Sequence, residues 1–104
     1  MKHHDQSQKR LLKNAEQSLF SALASLRDAG EAQRFLLDLC TPAEIEAMVD
    51  RWRVAQLLDQ GLTYRDISEV TEVSVTTIGR VARFLELGTG GYRTVLDRFA
   101  ERSP

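Results

Sequence analysis

Two helix-start signals, Thr63 and Ser74, stand so close together that one short helix and a turn must fit between them. They lie in the stretch 62–85, LTYRDISEVTEVSVTTIGRVARFL. Thr63 is a good N-cap, and Asp66 three residues later can reach back as its partner. Ile67 and Val70 then share a face at helical spacing. Thr71-Glu72-Val73 interrupts the pattern, and Ser74 caps a second helix. Along that helix Val75, Ile78, Ala82 and Leu85 share a face, with Val81 beside them. A short helix, a three-residue turn and a longer helix make a helix-turn-helix over residues 63–86.

The chemistry of the 74–86 helix agrees with this pattern. Its early solvent-facing positions are Thr76, Thr77, Gly79, Arg80 and Arg83. Hydroxyls and guanidinium groups bond phosphate oxygens, and Arg also pairs bidentately with guanine. Gly79 lets a backbone come close to its partner. No Asp or Glu occurs from Val73 to Leu85, although acidic residues outnumber basic ones in the whole chain, 15 to 14. A surface made for phosphate must exclude carboxylates, so the local gap says more than the total. An ordinary amphipathic helix pair would leave both caps and the Thr and Arg run as coincidence.

A chain of 104 residues is read as one domain with a modest core. With 42% hydrophobic and 28% charged residues, its composition is globular. The net charge of -1 gives no global basic field, so DNA binding must come from a local patch and depend on salt. Cys40 has no second cysteine to pair with. No long apolar run, signal peptide or polybasic tail stands out, which predicts a cytoplasmic protein with no membrane partner. Strand-type alternation is lacking too, so the class is all-α.

From the start of the chain, residues 1–4 are read as frayed. His3 and His4 lack the further ligands that a metal site needs, so no metal is expected. Asp5 with Gln8 resembles a capping box. Leu12, Ala15, Leu19, Ala22 and Leu26 repeat in a three-four rhythm, either a core face or an intersubunit seam. Gly30 is read as the C′ residue ending that helix. A second helix over 31–39 turns Ala32, Phe35, Leu36 and Leu39 inward. Cys40 reads as a small apolar packing residue. Thr41-Pro42-Ala43-Glu44 starts a third helix, which runs to about Gln60 and stops at Gly61. Its apolar residues cover most of the circumference, so it should be buried nearly all round. A second copy of the chain would supply part of that cover, giving a homodimer. Gly88-Thr89-Gly90-Gly91 then breaks the chain before a last amphipathic helix marked by Tyr92, Val95, Leu96 and Phe99. Arg93, Arg98 and Arg102 would form its solvated side. The glycine run follows no strand and lacks a trailing Lys-Ser/Thr, which excludes a phosphate-binding loop.

The order of elements resembles the tryptophan-repressor (Trp repressor) superfamily, and in particular its YerC/YecD-type branch of small relatives. The resemblance rests on Leu39-Cys40-Thr41-Pro42-Ala43-Glu44, Arg51, the run from Leu57 to Ile67, Thr77-Ile78-Gly79-Arg80 and Gly90-Gly91-Tyr92-Arg93, and covers roughly residues 16 to 99. It implies a six-helix intertwined-dimer bundle that presents two reading heads to adjacent major grooves. The family's DNA-contacting positions fall on Arg65, Ser68, Val75, Thr76, Thr77, Gly79 and Arg80, with Arg83 on the same face. Its corepressor positions match Thr41, Arg51 and Arg80. Val81 and Phe84 stand where the repressor carries a glycine and a serine. Both replacements fill space and would crowd an indole, which argues against L-tryptophan. Phe84 could occupy the slot as a built-in ligand mimic, and any small-molecule corepressor is unknown. Helix-turn-helix segments usually place Gly where this chain has Glu72. A positive φ there would cost about 1 kcal/mol, so either the turn differs or strain is tolerated.

The expected function is a dimeric, sequence-specific DNA-binding transcriptional regulator, a repressor, whose 74–86 helix enters the major groove of double-stranded DNA. The alternative is a helix-turn-helix module that contacts other transcription components. An enzyme is not expected, because no base–nucleophile pair, metal cluster or phosphate loop is present.

Overall fold

Six helices and no strand make up residues 6–102, which the structure, a computed structural model, describes. They are α1 (Gln6–Ala24), α2 (Ala29–Leu39), α3 (Pro42–Asp59), α4 (Tyr64–Thr71), α5 (Val75–Leu87) and α6 (Gly91–Arg102). The all-α class therefore holds. Residues 1–5, including His3, His4 and the Asp5 half of the expected capping box, lie outside the described residues. The chain forms two compact units, one ending at Thr41 and the other beginning at Pro42.

In the first unit, α1 carries the expected stripe, yet neither α1 nor α2 has a buried residue. Leu11, Leu12 and Phe20 are more than half exposed. Two boundaries differ from the expectation. Gly30 does not end a helix; it lies in the first turn of α2, which begins at Ala29 rather than Glu31. The reason is a cap that the pattern hid. Asp28 accepts a hydrogen bond from the Glu31 N–H at 2.8 Å, and the Glu31 carboxylate accepts from the Arg27 N–H at 2.9 Å. Gly30 leaves room for that cap, since a Cβ there would come within 3.3 Å of Asp28 Oδ1.

In the second unit, α3 ends as expected at Gly61. The Leu62 N–H bonds the Leu57 carbonyl and the Gly61 N–H bonds the Leu58 carbonyl, a Schellman motif with Gly61 at φ +89°. Val54 and Ala55 of α3, Ile67 of α4, Val73, and Ile78 and Val81 of α5 form the core. Trp52, Leu57, Leu58, Leu62 and Tyr92 pack around it.

The expected core faces need correction. Val70 and Val75 are each 57% exposed, and Ala82 and Leu85 are only half-buried. Val73, which the pattern assigned to the interruption, is buried instead. The turn explains the exchange. Thr71 is still helical, and Glu72 adopts φ 63°, ψ 13°, the left-handed conformation. That kink redirects the chain so that Val73 rather than Val70 enters the core. Side chains hold the kink. Ser68 Oγ donates to the Val73 carbonyl at 2.9 Å, and Thr71 Oγ1 accepts from the Val73 N–H at 3.1 Å.

The third helix is not buried nearly all round within one chain. Only Val54 and Ala55 of α3 are buried, and Val49 is 56% exposed. Arg93, expected on a solvated face, ties α6 to the end of α3. Its guanidinium reaches both Asp59 oxygens, at 2.8 and 3.1 Å, and its Nε reaches Asp97 at 2.9 Å. The Arg93 hydrogen bonds hold the Asp59 carboxyl below its usual range, and the two carboxylates raise the guanidinium in turn.

Candidate nucleic-acid interface

Both N-caps of the helix-turn-helix form, although among the described residues the Asp66 side chain makes no return bond to the Thr63 N–H. Thr63 Oγ1 accepts from the Asp66 N–H at 3.1 Å. Ser74 Oγ accepts from the Thr77 N–H and donates to Thr77 Oγ1, both at 3.2 Å. The second bond has a consequence for partners. Thr77 Oγ1 accepts a hydrogen bond from Ser74, so its own hydroxyl hydrogen is left to donate elsewhere.

With Ile78 and Val81 buried against Ile67 and Val54, the opposite side of α5 faces outward. Val75, Thr76, Arg80 and Arg83 are exposed, and Thr77 and Gly79 are half-buried. The outward face thus carries hydroxyls, two guanidinium groups and no carboxylate before Glu86. It is suited to phosphate oxygens and to the acceptor edge of guanine. On α4, Arg65 is exposed and reaches Glu69 at 3.4 Å. A pair this exposed is weak and yields readily to a phosphate. Ser68 spends its hydroxyl proton on the Val73 carbonyl, so in this chain it shapes the turn.

The expected effector residues are partly brought together. Arg51, Arg80 and Phe84 line one cavity of about 360 Å³ with Thr77, Val81 and Tyr92. Thr41 is exposed at the end of the first unit. Phe84 is 57% exposed and forms part of the cavity wall. It also borders a larger apolar cavity of about 880 Å³ with Trp52, Leu87, Tyr92 and Val95. The Trp52 ring there meets Phe99 edge-on, with centroids 5.5 Å apart. Sequence reasoning placed Tyr92 on an amphipathic face and missed its part in both cavities. Its place in the Gly90-Gly91-Tyr92-Arg93 motif was the available signal.

Among the described residues, no group of three His, Cys, Asp or Glu side chains could hold a metal. No helix there is long and apolar enough to cross a membrane.

Comparison with known proteins gives the same architecture. The family model of the Trp repressor protein matches residues 14–100. An uncharacterized Bacillus subtilis protein, YerC, is 43% identical over 83 residues, 80% of each chain. The crystal structure of a TrpR like protein from Eubacterium eligens superposes with a TM-score of 0.81 at 40% identity, covering 92% of this chain and 99% of that one. A second solved structure, from Staphylococcus aureus, gives 0.79 at 36% identity, covering 88% and 91%. With this match spanning both units, the chain belongs to the Trp repressor family, a regulator family whose helix-turn-helix is a DNA-binding fold.

Proposed function

We propose that this protein is a homodimeric, sequence-specific transcriptional repressor of the cytoplasm that reads the major groove of duplex DNA with α5. One observation carries the reading: Thr76, Arg80 and Arg83 stand exposed on a face that has no carboxylate before Glu86 and that buried Ile78 and Val81 hold outward. Arg80 and Thr77 read or clamp, Thr76 reaches a base edge or phosphate, and Val75 offers methyls to thymine. Gly79 lies on the same face, with the edge of the Tyr64 ring 3.9 Å from where its Cβ would stand. Arg65 holds phosphate near the start of α4, and Arg83 adds a phosphate contact on α5. Two such heads related by a twofold axis address half-sites about one helical turn apart.

The test is titration of a duplex selected from a randomised library at several salt concentrations. A linear fall of log affinity with log salt supports the reading. Salt-independent binding to a protein component of transcription, with no duplex binding, would replace it by the interaction-module reading.

The proposed effector site comprises Arg51, Arg80 and Phe84. Its two guanidinium groups and aromatic walls suit an anion with an apolar body. L-tryptophan is not that ligand, because Val81 and Phe84 take space that an indole needs. The reading head is then held ready without it. Calorimetry decides the point: saturable heat from tryptophan at micromolar concentration overturns the proposal.

A further inference from the structure

We propose that Tyr64 is a further DNA contact, its hydroxyl donating to a backbone phosphate from a seat against Gly79. The inference rests on reading α5 as the DNA-binding helix. Gly79 lies in the second turn of α5, on the face shared by Thr76 three residues before it and Arg83 four after it. Glycine inside a helix weakens it, so an interior glycine invites the question of what sits beside it. A Cβ built there would meet Cε2 of Tyr64 at 3.9 Å and no other atom within 4 Å beyond its own stretch of helix. Cε2 is bonded to the ring carbon that bears the hydroxyl. Oη therefore lies two bonds from the atom nearest to Gly79.

Tyr64 is the first residue of α4 and is 45% exposed. Its ring thus spans from the start of α4, beside Arg65, to the second turn of α5, between Thr76 and Arg83. No hydrogen bond engages its hydroxyl among the described residues. A large aromatic ring left half in water, with an unengaged donor at its tip and the exposed Arg65 next to it in the chain, is placed to take a phosphate oxygen. A phenol contributes there as a neutral donor. It fixes register on the backbone, reads no base and releases no counterion.

That chemistry sets the experiment. Tyr64→Phe and the wild type are titrated, across a salt series, with a duplex that the wild type selects from a randomised library and with an unrelated duplex. Thermal melting is recorded in parallel. Affinity should fall on the order of tenfold on both duplexes, as for loss of a hydrogen bond to a charged group. The slope of log affinity against log salt should stay unchanged, and so should Tm. Wild-type affinity in Tyr64→Phe would overturn the inference while the wild type's own salt-dependent binding kept the DNA reading intact. A slope reduced by about one would also overturn it, since the ring would then be acting through a neighbouring cation. So would a loss of affinity that tracked a lower Tm. Failure of the wild type to bind any duplex would remove the DNA reading and this contact together.

Discussion

Glu72 holds a left-handed backbone, φ 63°, where helix-turn-helix segments usually carry glycine. A Cβ in that conformation costs about 1–2 kcal/mol. The hydroxyls of Ser68 and Thr71 secure the residues on either side, which is how the strain is tolerated. Glu72→Gly should therefore stabilise the protein, by about 0.5–1 kcal/mol once the added freedom of the unfolded chain is subtracted. Chemical denaturation reads the gain, and an unchanged midpoint would contradict it. Arg80 presents the opposite case, exposed and with no evident duty in the core. Arg80→Ala should leave Tm in place and cost about 1–3 kcal/mol of specific DNA affinity in a binding titration. Ile78, fully buried, reverses that pattern. Ile78→Ala should cost about 2–5 kcal/mol of stability, read by denaturation, and weaken DNA binding only through unfolding.

Among the helices, α5 is aimed by its first turn, and α6 is tied to α3 by a guanidinium as well as by the Trp52–Phe99 edge contact. The Ser74 cap satisfies an otherwise unpaired N–H and orders the Thr77 hydroxyl on the reading face. The Arg93 clamp joins α6 to the C-terminal end of α3, where Asp59 opposes the negative pole of that helix. Because Arg93 lowers the Asp59 value in the folded protein, the stabilisation is present above the ordinary carboxylate range. It is lost as pH falls through the lowered value. Asp59→Asn should accordingly flatten the acid limb of the Tm–pH curve, leaving wild type and variant closer together in acid than at neutral pH. Parallel curves would contradict this role for the pair.

Taken whole, each unit leaves large apolar side chains in water. The first has no buried helical residue at all, and the second exposes Val49, Phe84, Val95 and Phe99 by 44% or more. Such surfaces call for cover, and a twofold partner is the commonest kind. If two copies supply it, Tm should rise with protein concentration. Leu12→Glu, on the exposed stripe of α1, should lower the dimer fraction in sedimentation. A concentration-independent Tm with monomer mass would rule out the dimer.

The features legible in the order of residues were those decided within about one turn of chain. The caps at Thr63 and Ser74, the proline start of α3 and the glycine stop at Gly61 each depend on partners a few positions away, so pattern sufficed to place them. The outward Thr and Arg face of α5 followed from periodicity alone, because burying Ile78 and Val81 leaves those side chains only one direction. Pattern failed where two local signals competed, as at Gly30, where the Asp28 cap prevailed. It failed again where one dihedral angle redirected the chain, exchanging Val70 for Val73 in the core. Arg93 was beyond its reach, since its partner Asp59 lies 34 residues away and only folding brings a guanidinium on one helix to a carboxylate on another. The same holds for the ring of Tyr64 against Gly79: helical spacing relates neighbours on one helix, while the meeting of two helices is set by the packing of the core between them.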